Sequence, residues 1–206
     1  MQFVPRYNTV EESELEKLQD FVDNSTSILI LTGAGISTES GIPDYRSEEV
    51  GLYARTNHRP IQHQEFMKSK CVRQRYWARN FVGWSTFSGV APNLSHKILT
   101  TWERQGKTSL IVTQNVDRLH HKAGCEATVE LHGSAYDVKC MNCNFTINRH
   151  DFQNLLIDLN PSFSAKSIEM RPDADVDLPQ VSYLFPSIVS QTFKNFFYTS
   201  GNDKQL

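Results

Sequence analysis

Three short stretches carry side chains that could bind a pyrophosphate or do acid–base chemistry. The first is Gly33-Ala34-Gly35, which follows a run of apolar residues and leads through Ser37 and Ile42 to Asp44-Tyr45-Arg46. Glycines in that context form a tight turn and let backbone N–H groups approach a pyrophosphate. A purely structural turn is the alternative reading, because a glycine pair alone is a weak signal. The second stretch, Gln114, Asn115 and Asp117, sets two amides and a carboxylate just after a short apolar segment. Ligands in open α/β sheets bind at such strand ends, although Asn115 or Asp117 could equally cap the helix that follows. The third is Glu130-Leu131-His132-Gly133, a histidine at a strand end, placed for base chemistry near neutral pH. Cys140-x-x-Cys143 is a fourth constellation, half of a metal site or a redox pair.

The elements that position these residues read as follows. Thr9 and Glu12 form a capping box for a helix whose Leu15, Leu18, Phe21 and Val22 share one face. Residues 27–31 are a continuous apolar run, expected to be a strand buried on both faces of a parallel sheet. The Arg-, His- and aromatic-rich segment from about 48 to 84 is a small helical module, with Trp77, Phe81 and Trp84 at helical spacing for core packing. A helix over 95–105 closes at Gly106. Strands follow at 110–113 and 128–131, separated by a short helix ending at Gly124. Phe152, Leu155, Leu156 and Leu159 mark an amphipathic helix that stops before Pro161. The alternation predicts an α/β fold with a doubly wound parallel sheet and a small helical module.

Composition sets outer bounds. Net charge is −2 from 21 basic and 23 acidic residues, which implies no nucleic-acid-binding surface. Hydrophobic content is 39%, and no apolar run approaches membrane-spanning length. Four cysteines do not make a disulfide framework. The acidic N-terminus shows no Arg/Ser-rich presequence, so no transit peptide is legible. A dehydrogenase fingerprint would place an acidic strand end about 20 residues after the glycines. Tyr53-Ala54-Arg55 stands there instead, against that reading.

Taken together and in this order, GAGIS…GIPDYRS, TQNVDRLH and ELHG resemble the sirtuins. The flanking ESGIPDYRSEEVGLYARTNHRPIQ and RYWARNFVGW look most like the class II, mitochondrial sirtuin-4-type subgroup. The resemblance runs from about residue 3 to 178 and implies a partial Rossmann-like parallel sheet with a small helical and zinc-module insert. It implies NAD-dependent removal of acyl groups from lysine side chains of protein substrates, with ADP-ribosyl transfer as a side reaction, and a mitochondrial matrix location. Gly33, Ala34, Gly35, Ser37, Ile42, Asp44, Tyr45 and Arg46 match the family's cofactor-binding positions. Ser37, Asn115 and Asp117 match its nicotinamide pocket, and Gln114 matches a ribose contact. His132 matches the general base: the acyl oxygen attacks the anomeric carbon, nicotinamide leaves, and the base activates a ribose hydroxyl. His120, beside the motif, is expected to pack or contact solvent.

The resemblance also defines expected gaps. Cys140 and Cys143 match half of the family's structural zinc site, and zinc in such sites takes four ligands. No cysteine follows Cys143, and nothing in the spacing of Cys125 or His150 favours them as substitutes. The segments that hold the adenosine half of NAD in the family are not recognisable. Residues 1–206 therefore read as an incomplete deacylase domain: an NAD-binding and catalytic half at about 27–135, a partial zinc module at about 136–178, and a non-family tail at 179–206. The expectation is weak zinc and NAD binding, with a truncated, inactive interaction fragment as the alternative function. Asp173, Asp175 and Asp177 mimic the start of a calcium loop, but Leu178 and Leu184 stand where such a loop needs glycine and glutamate.

Overall fold

The computed structural model describes residues 2–55, 61–163, 171–176 and 178, and the backbone of 196–198. Three parallel strands, β1 (Ile28–Thr32), β2 (Thr108–Thr113) and β3 (Thr128–Glu130), form one sheet in the order β1-β2-β3. Helix α1 (Glu12–Asn24) precedes β1, and a 3-10 turn (Ala34–Ser40) follows it. Three helices, α2 (Leu52–Arg55), α3 (His63–Lys68) and the long α4 (Lys70–Gly89), make up the inserted module. Helix α5 (Leu94–Arg104) leads into β2, and α6 (Leu119–Ala123) joins β2 to β3. Beyond the parallel sheet lie β4 (Asp137–Cys140), β5 (Thr146–Asn148) and α7 (Arg149–Leu159). A second, antiparallel sheet has the order β5-β4-β6, where β6 (Phe196–Tyr198) pairs with β4. The rest of the tail lies outside the described residues.

Local chemistry explains most boundaries. Ser69 caps α4 by accepting from Val72 N, Asn93 caps α5 through His96 N, and Asn148 caps α7 through His150 N. The expected capping box at α1 is not formed: Glu11 is the N-cap, without a side-chain bond, and Thr9 lies outside the helix. At its other end, Lys107 Nζ donates to the carbonyls of Val22, Asp23 and Ser25, each at 3.1 Å. A lysine on the terminal carbonyls of a helix satisfies acceptors that have no partner within the helix. That contact fixes α1 beside the start of β2.

The core sits off the parallel sheet. Trp77, Trp84 and Phe87 of α4 pack with Phe152 and Leu156 of α7, Val138 of β4, and Ala174 and Val176. Trp77 and Phe152 rings lie 4.8 Å apart. Arg149 is fully buried among them, its guanidinium 4.7 Å from the Trp84 ring, an arrangement that replaces water with aromatic faces.

Two burial expectations fail. Leu15, Leu18 and Phe21 of α1 are exposed and only Val22 is buried; Leu15, Leu18 and Val22 border a cleft shared with Trp102 of α5 that is left open. β1 is covered on one face only: Leu29 and Leu31 are each 65% exposed. Strand register places Leu31 beside Val112 and Val112 beside Val129, so one apolar stripe crosses the sheet. The opposite face, with Ile111 fully buried, packs on α5. A continuous apolar run cannot distinguish these faces, since its two sides read alike.

Segment 171–176 docks on α4 at Gly83, where an added Cβ would lie 2.1 Å from Ala174 O and 2.8 Å from Val176 Cγ1. Gly83→Ala should displace this segment and lower stability by ~1–3 kcal/mol, the usual cost of overpacking. Chemical denaturation combined with limited proteolysis checks it; wild-type stability and cleavage would show the segment to be held elsewhere.

Candidate functional site

The C-terminal ends of β1, β2 and β3 open onto one side of the sheet, and all three motif stretches begin there. After β1 the chain turns at Gly33 into the 3-10 turn. After β2, Gln114 N donates to Thr32 O at 3.0 Å, which holds the two loops side by side. A buried polar chain then locks them. Asn115 Nδ2 donates to Gly33 O (3.0 Å) and to Ser37 Oγ (3.1 Å), and Ser37 Oγ donates to Asp117 Oδ2 at 2.7 Å. The other Asp117 oxygen accepts from Leu119 N at 2.9 Å, the first residue of α6, while the N-cap position itself is Arg118. Asp117 therefore bonds the start of the helix from one residue outside the cap and also faces the loop.

The loop closes back on itself through Asp44. Its carboxylate accepts from Ser47 N (3.2 Å) and Ser47 Oγ, while Leu52 N and Tyr53 N donate to the carbonyls of Asp44 and Tyr45. Tyr45 and Tyr53 rings meet at 5.7 Å. The result is a cavity of about 520 Å³. Ala34, Gly35, Ser37, Ile42, Asp44, Tyr45 and Arg46 line it, as do Gln114, Asn115, Asp117 and the half-buried His132. Gly33 does not line the cavity; it contributes the carbonyl that anchors Asn115.

Sequence reasoning missed other walls of the same cavity. Tyr76 and Asn80 reach it from α4, and Asp173 and Asp175 from the docked segment. Asp175 is held by Arg79 at 2.5 Å and Arg171 at 2.9 Å, and Arg79 Nε donates to Val176 O at 2.7 Å. The alternating aspartates were visible as a pattern, but the arginine that pairs with them across the fold lies 96 residues upstream of Asp175. Burial pushes the Asp173 carboxyl above the usual carboxylate range. Tyr45 is likewise raised, first by burial and then by Asp173. This wall is acidic and poorly solvated.

Glu130 stands at the end of β3, two residues before His132. Burial raises its carboxyl to about 7, against the pull of Arg118, whose Nε lies 3.7 Å from Oε1. His121 Nδ1 lies equally far from the same oxygen. His120 packs rather than meeting solvent: it is 1% exposed.

Two implied groups were tested against these residues. Gly33 and Gly35 have ordinary φ values and nothing within 4 Å of where a Cβ would stand, so neither packing nor backbone geometry demands glycine there. Gly35 borders the cavity, and the open space where its side chain would stand leaves room for a dinucleotide phosphate, so NAD fits. Zinc does not fit comparably. Cys140 ends β4 and accepts from Asn142 N at 3.4 Å, Cys143 is exposed in the β4–β5 connection, and neither lines the cavity. Among the described residues, no group of three or more His, Cys, Asp or Glu side chains could hold a metal.

The sequence pattern of the Sir2 family matches residues 33–176, from the anchoring glycine to the docked segment. The chain belongs to the Sir2 family. It is 56% identical over 178 residues to the NAD-dependent protein deacylase Sirt4 of Drosophila melanogaster, covering 86% of this chain and 57% of that protein. It is 52% identical, with the same coverages, to the human NAD-dependent protein lipoamidase sirtuin-4, mitochondrial. The chain thus spans a little over half the length of these relatives. Among solved structures, a Sir2 homolog–NAD complex superposes with a TM-score of 0.53 at 32% identity, over 70% of this chain and 55% of that one. An ADP-ribose complex of a Sir2-homologue mutant gives 0.56 at 34% identity, over 65% and 52%. These neighbours share the Rossmann-like α/β fold.

The Glu130 environment gives a pH prediction. The folded protein holds this proton to about pH 7 while the unfolded chain releases it near its ordinary value. Between those values the folded state binds more protons, so this group's contribution to stability falls as pH rises. Glu130→Gln should therefore stabilise the protein more at pH 8 than at pH 5, read by urea denaturation at both. Equal gains would show that Glu130 ionises freely.

Proposed function

We propose that the protein is an NAD-dependent protein-lysine deacylase acting in mitochondria, with ADP-ribosyl transfer as a side activity. The observation that supports this most is the shared cavity, where the glycine turn, the Ser37–Asn115–Asp117 chain and His132 meet. The names of the relatives favour catalysis over a non-catalytic interaction fragment. Mitochondrial location rests on the name of the human relative. Among the described residues, no helix is long and apolar enough to cross a membrane.

Bound NAD supplies an electrophilic anomeric carbon with nicotinamide as its leaving group. The protein's part is to hold that end still. Backbone at Ala34 and Gly35 would hold the phosphates, with Tyr45 and Arg46 of the Asp44 turn beside them. Asn115 and Asp117 would hold the carboxamide, with Ser37 fixing both side chains. Gln114 would hold the ribose, and His132 would accept the ribose hydroxyl proton as general base. Cys140 and Cys143 take no part in these steps.

Two measurements test the reading. His132→Ala should cut acyl-lysine-dependent nicotinamide release by at least ~100-fold, the contribution general base catalysis typically makes. Turnover near that of the unsubstituted protein would remove His132 from the mechanism. Asp117→Asn should weaken nicotinamide inhibition and raise the KM for NAD more than the KM for acyl-peptide. An equal rise in both would leave Asp117 with its bond to the start of the helix alone.

A further inference from the structure

Beneath the glycine turn, on the side away from the cavity, lies a pair of buried histidines that the proposed chemistry does not use. His96 is fully buried on α5 and His120 is 1% exposed on α6, with ring centroids 4.9 Å apart. His120 Nε2 lies 2.9 Å from Thr32 Oγ1, at the last residue of β1. His96 Nδ1 lies 2.9 Å from Asn93 Oδ1, and Asn93 Nδ2 donates to Ile36 O at 2.7 Å. One side-chain cluster thus grips the chain on both sides of Gly33-Ala34-Gly35, at Thr32 and at Ile36.

Proton accounting supports a specific arrangement. Asn93 uses its N–H on Ile36, so its oxygen must accept, and His96 carries its proton on Nδ1. Burial lowers both imidazoles to about 4, so both are neutral at pH 7. For His120 the neighbouring His96 and His121 also disfavour charge, against Asp117. A neutral ring can share one hydrogen bond with Thr32 in either direction without bringing a charge under the turn. From above, Asn115 holds Gly33 O, so the turn is clamped between an amide on its cavity side and an imidazole behind it.

We propose that His120, supported by His96 and Asn93, is a positioning residue that fixes the glycine turn in the shape the cofactor site requires. It touches no substrate atom; it acts through Thr32. The proposal deepens the NAD reading and rests on it for its functional meaning, but its structural content can be tested without cofactor.

Hydrogen exchange on the full 206-residue chain provides that test. The amides of Ile36, Gly41 and Ile42 donate to Gly33 O, Thr38 O and Ser37 O respectively, within or just after the turn, and report its closure. In His120→Leu and in Thr32→Val these amides should lose about tenfold protection, the worth of one buried hydrogen bond, while α7 keeps its own. His120→Gln, whose amide reaches the Nε2 position, should stay close to the unsubstituted chain. Unchanged protection in Thr32→Val overturns the proposal, as does a His120→Gln that exchanges like His120→Leu. Should His120→Leu unfold, Thr32→Val decides alone, because it removes one hydroxyl and no packing. NAD added to the unsubstituted chain should slow the same amides. Its failure to do so would count against the NAD reading and leave the variant comparison standing.

Discussion

The hydrogen bond from Ser37 to Asp117 joins positions 80 residues apart and is the constraint on which the site depends. All its members are buried, and a buried carboxylate or hydroxyl without partners costs more than the bond itself returns. The geometry satisfies them in series. Asn115 donates to Ser37, Ser37 donates to Asp117, and the spare Asp117 oxygen starts α6. Moving either loop would orphan several of these groups at once, so the ends of β1 and β2 are fixed together or not at all. The cavity is the space left beside that locked chain.

What holds the cavity's other wall is different in kind. Tyr76, Asn80 and the 171–176 segment are placed by an aromatic core that lies on α4 and α7, not under the parallel sheet. Within that core Arg149 donates to Asn80 O at 3.2 Å while its guanidinium stacks on indole rings. Asp175 is held from both sides by arginines. Removing one partner from such a buried ion set is far costlier than never having built it. The polar chain thus positions the groups that would meet the nicotinamide end, and the aromatic core positions the face beyond it.

How far the sequence foretold this follows from the range of each interaction. The three parallel strands, the α5 and α7 helices and the glycine turn were legible because apolar runs, caps and glycines act within a few residues, whereas β4 and β5 were not foreseen. Ser37, Asn115 and Asp117 were legible as a set through the family resemblance, and their donor order became visible only in three dimensions. Asp173 and Asp175 were not legible as cavity walls. Their meaning depends on Arg79 and on the missing Cβ of Gly83, neither of which any local pattern marks. The exposure of Leu29 and Leu31 was misread for a related reason. Whether a strand face is covered is a property of what packs on it, and the strand's own residues do not record that.

The cysteine pair shows the same distinction between a motif and its setting. Cys-x-x-Cys reads as a metal half-site, yet β4 does not owe its place to the thiolates. It pairs with β5 on one edge and β6 on the other, Val138 at its centre is fully buried, and Arg149 N donates to Tyr136 O at 2.8 Å just before it begins. Backbone ladders and a filled core fix the strand up to Cys140, and the two sulfurs lie at and beyond its end. A metal bound there would tie the β4–β5 connection and leave the wall behind Trp84 and Tyr136 as it is. The strand-end cavity and the cysteine knuckle are therefore separable parts of one fold: the first is held by buried polar bonds between strand ends, the second by a strand that is already in place.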